Sequence, residues 1–210
     1  MKGFIFDLDG VIVSTDGLHY LAWKQMADKE GIYFDEQINN RLRGVSRMAS
    51  LEIVLERRER EYSDEEKLAL ATQKNDIYKE LLKSLTPEDT LPGVRETLNE
   101  LRARGYKLAI GSSSRNTPAI LKYIGLEGFF DAVSDGNNIT NSKPDPEVFI
   151  KAAAFLGLDP SECYVVEDAK AGVDAGVAGG FTTIAIGDAS GYERADYSIV
   201  DFGEILNIAK

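Results

Sequence analysis

The amino-acid sequence predicts an α/β fold: a Rossmann-like parallel sheet core with a helical-bundle cap inserted into it. Three observations predict it. From residue 87 onward, short apolar runs alternate with amphipathic stretches of helical spacing, the pattern of a parallel sheet with helices on both faces. One more apolar run, Phe4-Ile5-Phe6, stands at the start, and no strand signal follows it between residues 14 and 86. Polar clusters come directly after the apolar runs, at the strand ends where doubly wound sheets bind ligands.

The elements follow in order. Residues 3–7 read as the first buried strand. In "LHYLAWKQMADKEG", Leu18, Leu21, Ala22, Met26 and Ala27 recur at helical spacing, and Gly31 closes the helix. After "LEIVLERREREY", Ser63 and Glu66 have the form of a capping box. The helix that this box opens is expected to bury Leu68, Ala71, Ile77, Leu81, Leu82 and Leu85. The segment 14–86 is thus an all-helical unit, and the core comprises 1–13 and 87–210. "TLPGVRETLNELRARG" is a helix ending at Gly105, "YKLAIGSSS" a strand, "NTPAILKYIG" a helix and "FFDAVSD" a short strand. "DPEVFIKAAAFLG" is a helix, "CYVVED" a strand, "AKAGVDAGVAGG" a small-residue helix and "FTTIAIG" the last clear strand. Right-handed crossovers then place every strand end on one edge of the sheet.

Composition narrows the class. Lys+Arg 24 against Asp+Glu 35 gives a net charge of −11, which argues against nucleic acid or an anionic membrane as partner. The single cysteine, Cys163, forms no internal disulfide and reads as inert packing in a reducing compartment. No apolar run approaches the ~20 residues of a membrane span, and the start of the sequence is too soon acidic for a signal peptide. A cytoplasmic monomer is expected.

Asp7 and Asp9 lie one residue apart at the end of the first apolar run. Alternation would send them to the same side, where each resists ionisation beside the other. Such a pair calls for a cation, or for one carboxyl to hold a proton. Three more clusters fall on the same edge: Ser112-Ser113-Ser114, Lys143, and Glu167-Asp168. Carboxylates suit Mg²⁺, and a lysine point charge suits a phosphoryl oxygen. Glu167 or Asp168 is also expected to cap the following helix.

"FDLDGVI", "GSSSRN", "SKPDPEVF" and "VVEDAKAG" resemble, in order, the motifs of the haloacid dehalogenase superfamily of phosphotransferases. The helical insert resembles that superfamily's four-helix cap. His19 and Trp23, the stretch Arg43-Gly44-Val45-Ser46-Arg47, and "SSSRN" are similar to the β-phosphoglucomutase group within it. The resemblance implies that Asp7 is the nucleophile, forming an aspartyl-phosphate, and Asp9 the general acid/base. It implies Mg²⁺ held by Asp7, the Asp9 backbone carbonyl and Asp168, with Glu167 assisting either directly or through the groups that ligate the ion. Ser112 and Lys143 would hold the transferring phosphoryl group. Arg47, Ser114 and Asn116 would hold a second phosphate, with Arg115 where a cation is usual. Thr15, Arg43, Gly44, Val45, Ser46 and Ser113 complete the implied substrate-binding set, with a phosphorylated sugar as partner. His19 is expected near the domain junction, hydrogen-bonding there and helping to position Asp9. Trp23 reads equally as cap core or as a sugar-facing ring, and Met26 as core.

Two activities fit these residues. A mutase would interconvert β-glucose 1-phosphate and glucose 6-phosphate through β-glucose 1,6-bisphosphate, and needs two phosphate subsites. A Mg²⁺-dependent sugar-phosphate phosphatase needs only the first. A non-catalytic binding module is disfavoured, because every carboxylate the chemistry requires is present.

Overall fold

The computed structural model of the chain describes residues 1–42 and 46–209. It divides into two compact units, Met1–Ser14 with Thr86–Lys210, and Thr15–Leu85. Strand β1 (Gly3–Phe6) opens the first unit, with all of its residues buried. The second unit holds α1 (Asp16–Lys29), α2 (Glu36–Asn40), α3 (Arg47–Val54) and α4 (Asp64–Leu82). The chain then returns to the first unit through α5 (Val94–Ala103), β2 (Lys107–Gly111), α6 (Thr117–Tyr123), β3 (Ala132–Ser134) and α7 (Glu147–Leu156). It closes with β4 (Cys163–Glu167), α8 (Lys170–Ala178), β5 (Thr182–Ala185), β6 (Tyr197–Ser198) and α9 (Ile205–Ile208).

The six strands form one sheet in the order β3-β2-β1-β4-β5-β6, and every pairing is parallel. Ile5 stands level with Ala109 on one side and Val165 on the other. These residues share a core with Phe149 of α7, Ala175 of α8 and Phe181. Phe4 and Phe6 belong to an aromatic layer instead, with rings 4.6 Å from Tyr164 and 5.7 Å from Phe202 respectively. Both faces are therefore covered, which is why the run is apolar without alternation.

The strand order reverses at β1. The chain moves outward from β1 to β2 and β3, then returns to β1's other side with β4. Crossovers that diverge at β1 are the arrangement in which such sheets bind ligands at the carboxyl ends of the strands, here β1 and β4.

In the helical unit, α4 begins with the capping box: Glu66 N donates to Ser63 Oγ at 3.2 Å and Ser63 N donates to Glu66 Oε2 at 2.8 Å. Its buried stripe differs from the expected one. Leu70, Ala71, Lys74, Tyr78 and Leu82 face inward, Ile77 and Leu81 are only partly covered, and Leu68 is 61% exposed. Lys74 interrupts the apolar pattern, so the apolar spacing points about one residue away from the face that is buried. Leu21 of α1 is likewise exposed, while Trp23, Met26 and Ala27 pack into the core with Leu51, Val54 and Leu55. The edge strand β6 was not foreseen; two exposed residues carry no run. Among the described residues no helix is long and apolar enough to cross a membrane.

Candidate active site

Strand β1 stops at Phe6, so Asp7 and Asp9 follow the strand and do not share a side by alternation. Asp7 instead continues the sheet ladder by its backbone, its N–H donating to Val166 O of β4 at 3.0 Å. That bond pins the Asp7 carboxyl beside Glu167, the last residue of β4, and Asp168, the next. The turn after Asp7 is tight, with Gly10 N donating to Val13 O at 2.8 Å. Gly10 adopts φ +78°, and a Cβ there would lie 1.9 Å from Asp168 Oδ2. A side chain at residue 10 would thus displace Asp168. Gly172 plays the same part for Glu167, whose carboxylate carbon sits 1.9 Å from where a Cβ would be.

Lys143 reaches this cluster from the loop between β3 and α7. Its Nζ lies 2.6 Å from Asp7 Oδ1 and 2.5 Å from Glu167 Oε1. Carboxylate oxygens of Asp7, Glu167 and Asp168 all lie within 4.8 Å of one another. Burial works to discharge Lys143, but Asp7 and Glu167 outweigh it and hold the ammonium above its usual range. Burial pushes Glu167 up to about 7, against the pull of Lys143 and with the push of Asp7. Burial, then the charges of Asp7 and Glu167, push Asp168 up to about 8. Three crowded carboxylates against one ammonium make a site short of positive charge, and hard oxygen donors fit a Mg²⁺ ion. The Asp9 carboxylate stands outside this triad, though its charge reaches Asp168.

The hydroxyl loop follows β2. Ser112 N donates to Ser134 O at 3.0 Å, extending the pairing with β3. Ser112 Oγ is buried and accepts from Ser114 N at 3.2 Å, which leaves its O–H to donate elsewhere. Ser114 Oγ accepts from Asn116 N at 3.2 Å, and Asn116 is itself buried. Arg115 Nε donates to Gly136 O at 3.1 Å. Ser113 Oγ is buried with no hydrogen-bond partner among the described residues. The expected carboxylate cap on α8 is not formed. Ala169 holds the cap position without a side-chain bond, and Glu167 Oε2 accepts from Ala169 N at 3.0 Å.

The helical unit contains its own polar cluster. His19 Nδ1 lies 2.8 Å from Lys74 Nζ, and its ring stacks on Tyr78 at 4.0 Å. Desolvation, then the charges of Lys74 and Arg47, hold the imidazole well below its ordinary pKa. It is neutral at pH 7, so Nδ1 can accept from the ammonium. Tyr78 OH donates to Thr15 Oγ1 at 2.8 Å. Lys74 is 3% exposed and sits over the rings of Trp23 and Tyr78. Trp23 itself is core. Arg47 is the first residue of α3, behind the Ser46 cap, and its Nη2 donates to Asn75 Oδ1 at 2.9 Å. Sequence reasoning missed Lys74. A lysine in the middle of an otherwise apolar stripe was the available signal. Arg43, Gly44 and Val45 lie outside the described residues.

The profile of the haloacid dehalogenase-like hydrolases matches residues 1–180. The chain belongs to that family. Among its members, a β-phosphoglucomutase of Bacillus subtilis is 41% identical over 198 residues, 93% of this chain and 88% of the other. A phosphorylated carbohydrates phosphatase of Thermotoga maritima is 32% identical over 219 residues, 100% of this chain and 99% of the other. The crystal structure of a β-phosphoglucomutase from Clostridium difficile superposes with TM-score 0.89 at 35% identity, covering 98% of this chain and 93% of that one. Family members this similar to the chain thus carry both mutase and phosphatase names.

Proposed function

We propose that this chain is a phosphosugar mutase interconverting β-glucose 1-phosphate and glucose 6-phosphate. The observation that carries the chemistry is the approach of Lys143 to within 2.6 Å of Asp7, beside Glu167 and Asp168. Phosphoryl transfer asks for in-line placement and for positive charge on the equatorial oxygens. An ionised Asp7 needs no base to attack phosphorus. In the first half-reaction the phosphate on Asp7 passes to the sugar's 6-hydroxyl, and Asp9 takes the hydroxyl proton. The bisphosphate turns over, Asp7 attacks the phosphorus at the 1-position, and Asp9 returns the proton to the departing oxygen. Asp7, Asp168, Glu167 and the Asp9 backbone carbonyl would hold Mg²⁺, which when bound supplies charge compensation for the transferring oxygens. Ser112 donates its O–H to the same phosphoryl group, and Lys143 carries the compensating charge. Ser114 and Asn116 take the phosphate that is not being transferred, with Arg115 beside them, and Arg47 is a further candidate phosphate-binding side chain.

The mutase reading draws support from the 41% identical relative, and the phosphatase reading from the relative that is 32% identical over the whole chain. Arg47→Ala separates them. A desolvated arginine–phosphate pair that loses one partner costs about 2–4 kcal/mol. Conversion of β-glucose 1-phosphate, assayed with a trace of bisphosphate, is expected to fall roughly 30- to 1000-fold. Phosphorylation of Asp7 by acetyl phosphate should survive, because Asp7, Asp9 and Lys143 are untouched. A fall in mutase turnover below about threefold, with free phosphate as the main product, would favour the phosphatase.

Chelation of divalent ions is expected to stop turnover while the cooperative thermal transition is kept, since the carboxylates stand at the sheet edge. Collapse of that transition on chelation would make the ion structural.

A further inference from the structure

Lys143 does its work from a loop, and a side chain that must meet a phosphoryl oxygen needs its backbone fixed. Nothing in β3 does this, because β3 ends at Ser134. The fixing comes from Glu147, the first residue of α7. Its carboxylate turns back out of the helix: Thr140 N donates to Oε1 at 3.1 Å and to Oε2 at 3.0 Å, and Asn141 N donates to Oε2 at 2.7 Å. Lys151, one turn on, closes the bracket, its Nζ lying 2.7 Å from Glu147 Oε1 and donating to Asn138 O at 2.5 Å. On the other side of Lys143, Asp145 Oδ1 accepts from Glu147 N at 2.9 Å, and Asp145 N donates to Ser142 O at 3.1 Å. The helix that anchors these bonds is packed into the core, with Val148 and Phe149 fully buried against the sheet. The Phe149 ring also lies under Lys143 Nζ, at 4.7 Å.

We propose that Glu147 is a positioning residue for Lys143, clamping the 140–141 backbone so that the ammonium meets Asp7 and the transferring phosphoryl group. The proposal rests on the reading of Lys143 given above. A carboxylate in the first turn of a helix ordinarily complements the helix dipole, but here both oxygens are spent on loop amides that lie outside the helix. Lys151 and those amides hold the carboxyl down to about 2. A depressed carboxylate contributes fully above its unfolded pKa and is lost only as the pH falls towards the folded value. The clamp is therefore closed throughout the neutral range.

The test is a double-mutant cycle read by single-turnover phosphorylation of the full chain with acetyl phosphate and Mg²⁺, alongside thermal unfolding. Lys143→Ala alone is expected to slow phosphorylation about 10²–10³-fold. Glu147→Ala should slow it roughly ten- to a hundredfold in the wild-type background, the scale of an ångström-sized misplacement. In the Lys143→Ala background, Glu147→Ala should change the rate less than about twofold while shifting the unfolding midpoint as before. Glu147→Gln, nearly isosteric, is a second route should Glu147→Ala fold poorly, and should follow the same pattern with a smaller loss. An equal loss in both backgrounds would overturn the proposal, as would a near-normal Glu147→Ala rate beside a crippled Lys143→Ala. A near-normal Lys143→Ala rate would overturn the role of Lys143 itself, and this proposal with it.

Discussion

Asp7→Asn is expected to abolish turnover. The Asp7 carboxylate is buried, accepts from Lys143 at 2.6 Å and shares its surroundings with Glu167 and Asp168. An amide is a poor nucleophile and a poor ligand for Mg²⁺. It would also turn either an N–H₂ or a weaker acceptor towards the Lys143 ammonium. Loss of an essential covalent residue commonly costs several orders of magnitude. Steady-state turnover of β-glucose 1-phosphate checks this, and retention of more than about a hundredth of the wild-type rate would contradict the assignment. The fold should persist, because the Asp7 N–H keeps its bond to Val166 O.

Asp9→Asn should give a different defect. Asp9 lies in the tight turn closed by Gly10 N to Val13 O at 2.8 Å and by Ile12 N to Leu8 O at 2.9 Å. Its carboxylate is not one of the three that crowd together. The substitution leaves the backbone carbonyl in place, so Mg²⁺ affinity should be nearly unchanged. Proton transfer to and from the sugar oxygen is lost, a step typically worth ~10²–10⁴-fold. Turnover rates paired with a Mg²⁺ titration read both effects. An unchanged rate, or weakened metal binding as the main defect, would give Asp9 another role.

The contrast between α4 and β1 shows what the sequence discloses and what it does not. Residues 4–6 could be placed because burial on both faces leaves an unbroken apolar run, whatever the register. A single-sided helix depends on register. In α4 the inward stripe passes through Lys74, which a hydrophobic pattern skips, while the apolar spacing points to Leu68, which is exposed. The residues at the strand ends stood out by position, since a charged or hydroxyl group directly after an apolar run marks the carboxyl end of a strand. The bonds among them could not be read in the same way. Lys143 is 136 residues from Asp7 in the chain, and only the folded sheet brings the two within hydrogen-bond distance. The clamp made by Glu147 is not legible in the sequence, because beside its i,i+4 partner Lys151 it holds backbone amides of residues 140 and 141, which have no sequence signature. The mistaken cap on α8 has the same origin: Glu167 has the right composition for a cap, but its carboxylate is taken up by Lys143 and Ala169 N.

In the proposed mechanism phosphate passes through Asp7. This is tested most directly by mixing the protein with acetyl phosphate and Mg²⁺, quenching in acid and mapping the modified peptide by mass spectrometry. A single acid-stable, base-labile phosphate is expected on Asp7 in the wild type and none in Asp7→Asn. Phosphate on any other residue, or turnover with no phosphorylated chain at any time, would contradict it.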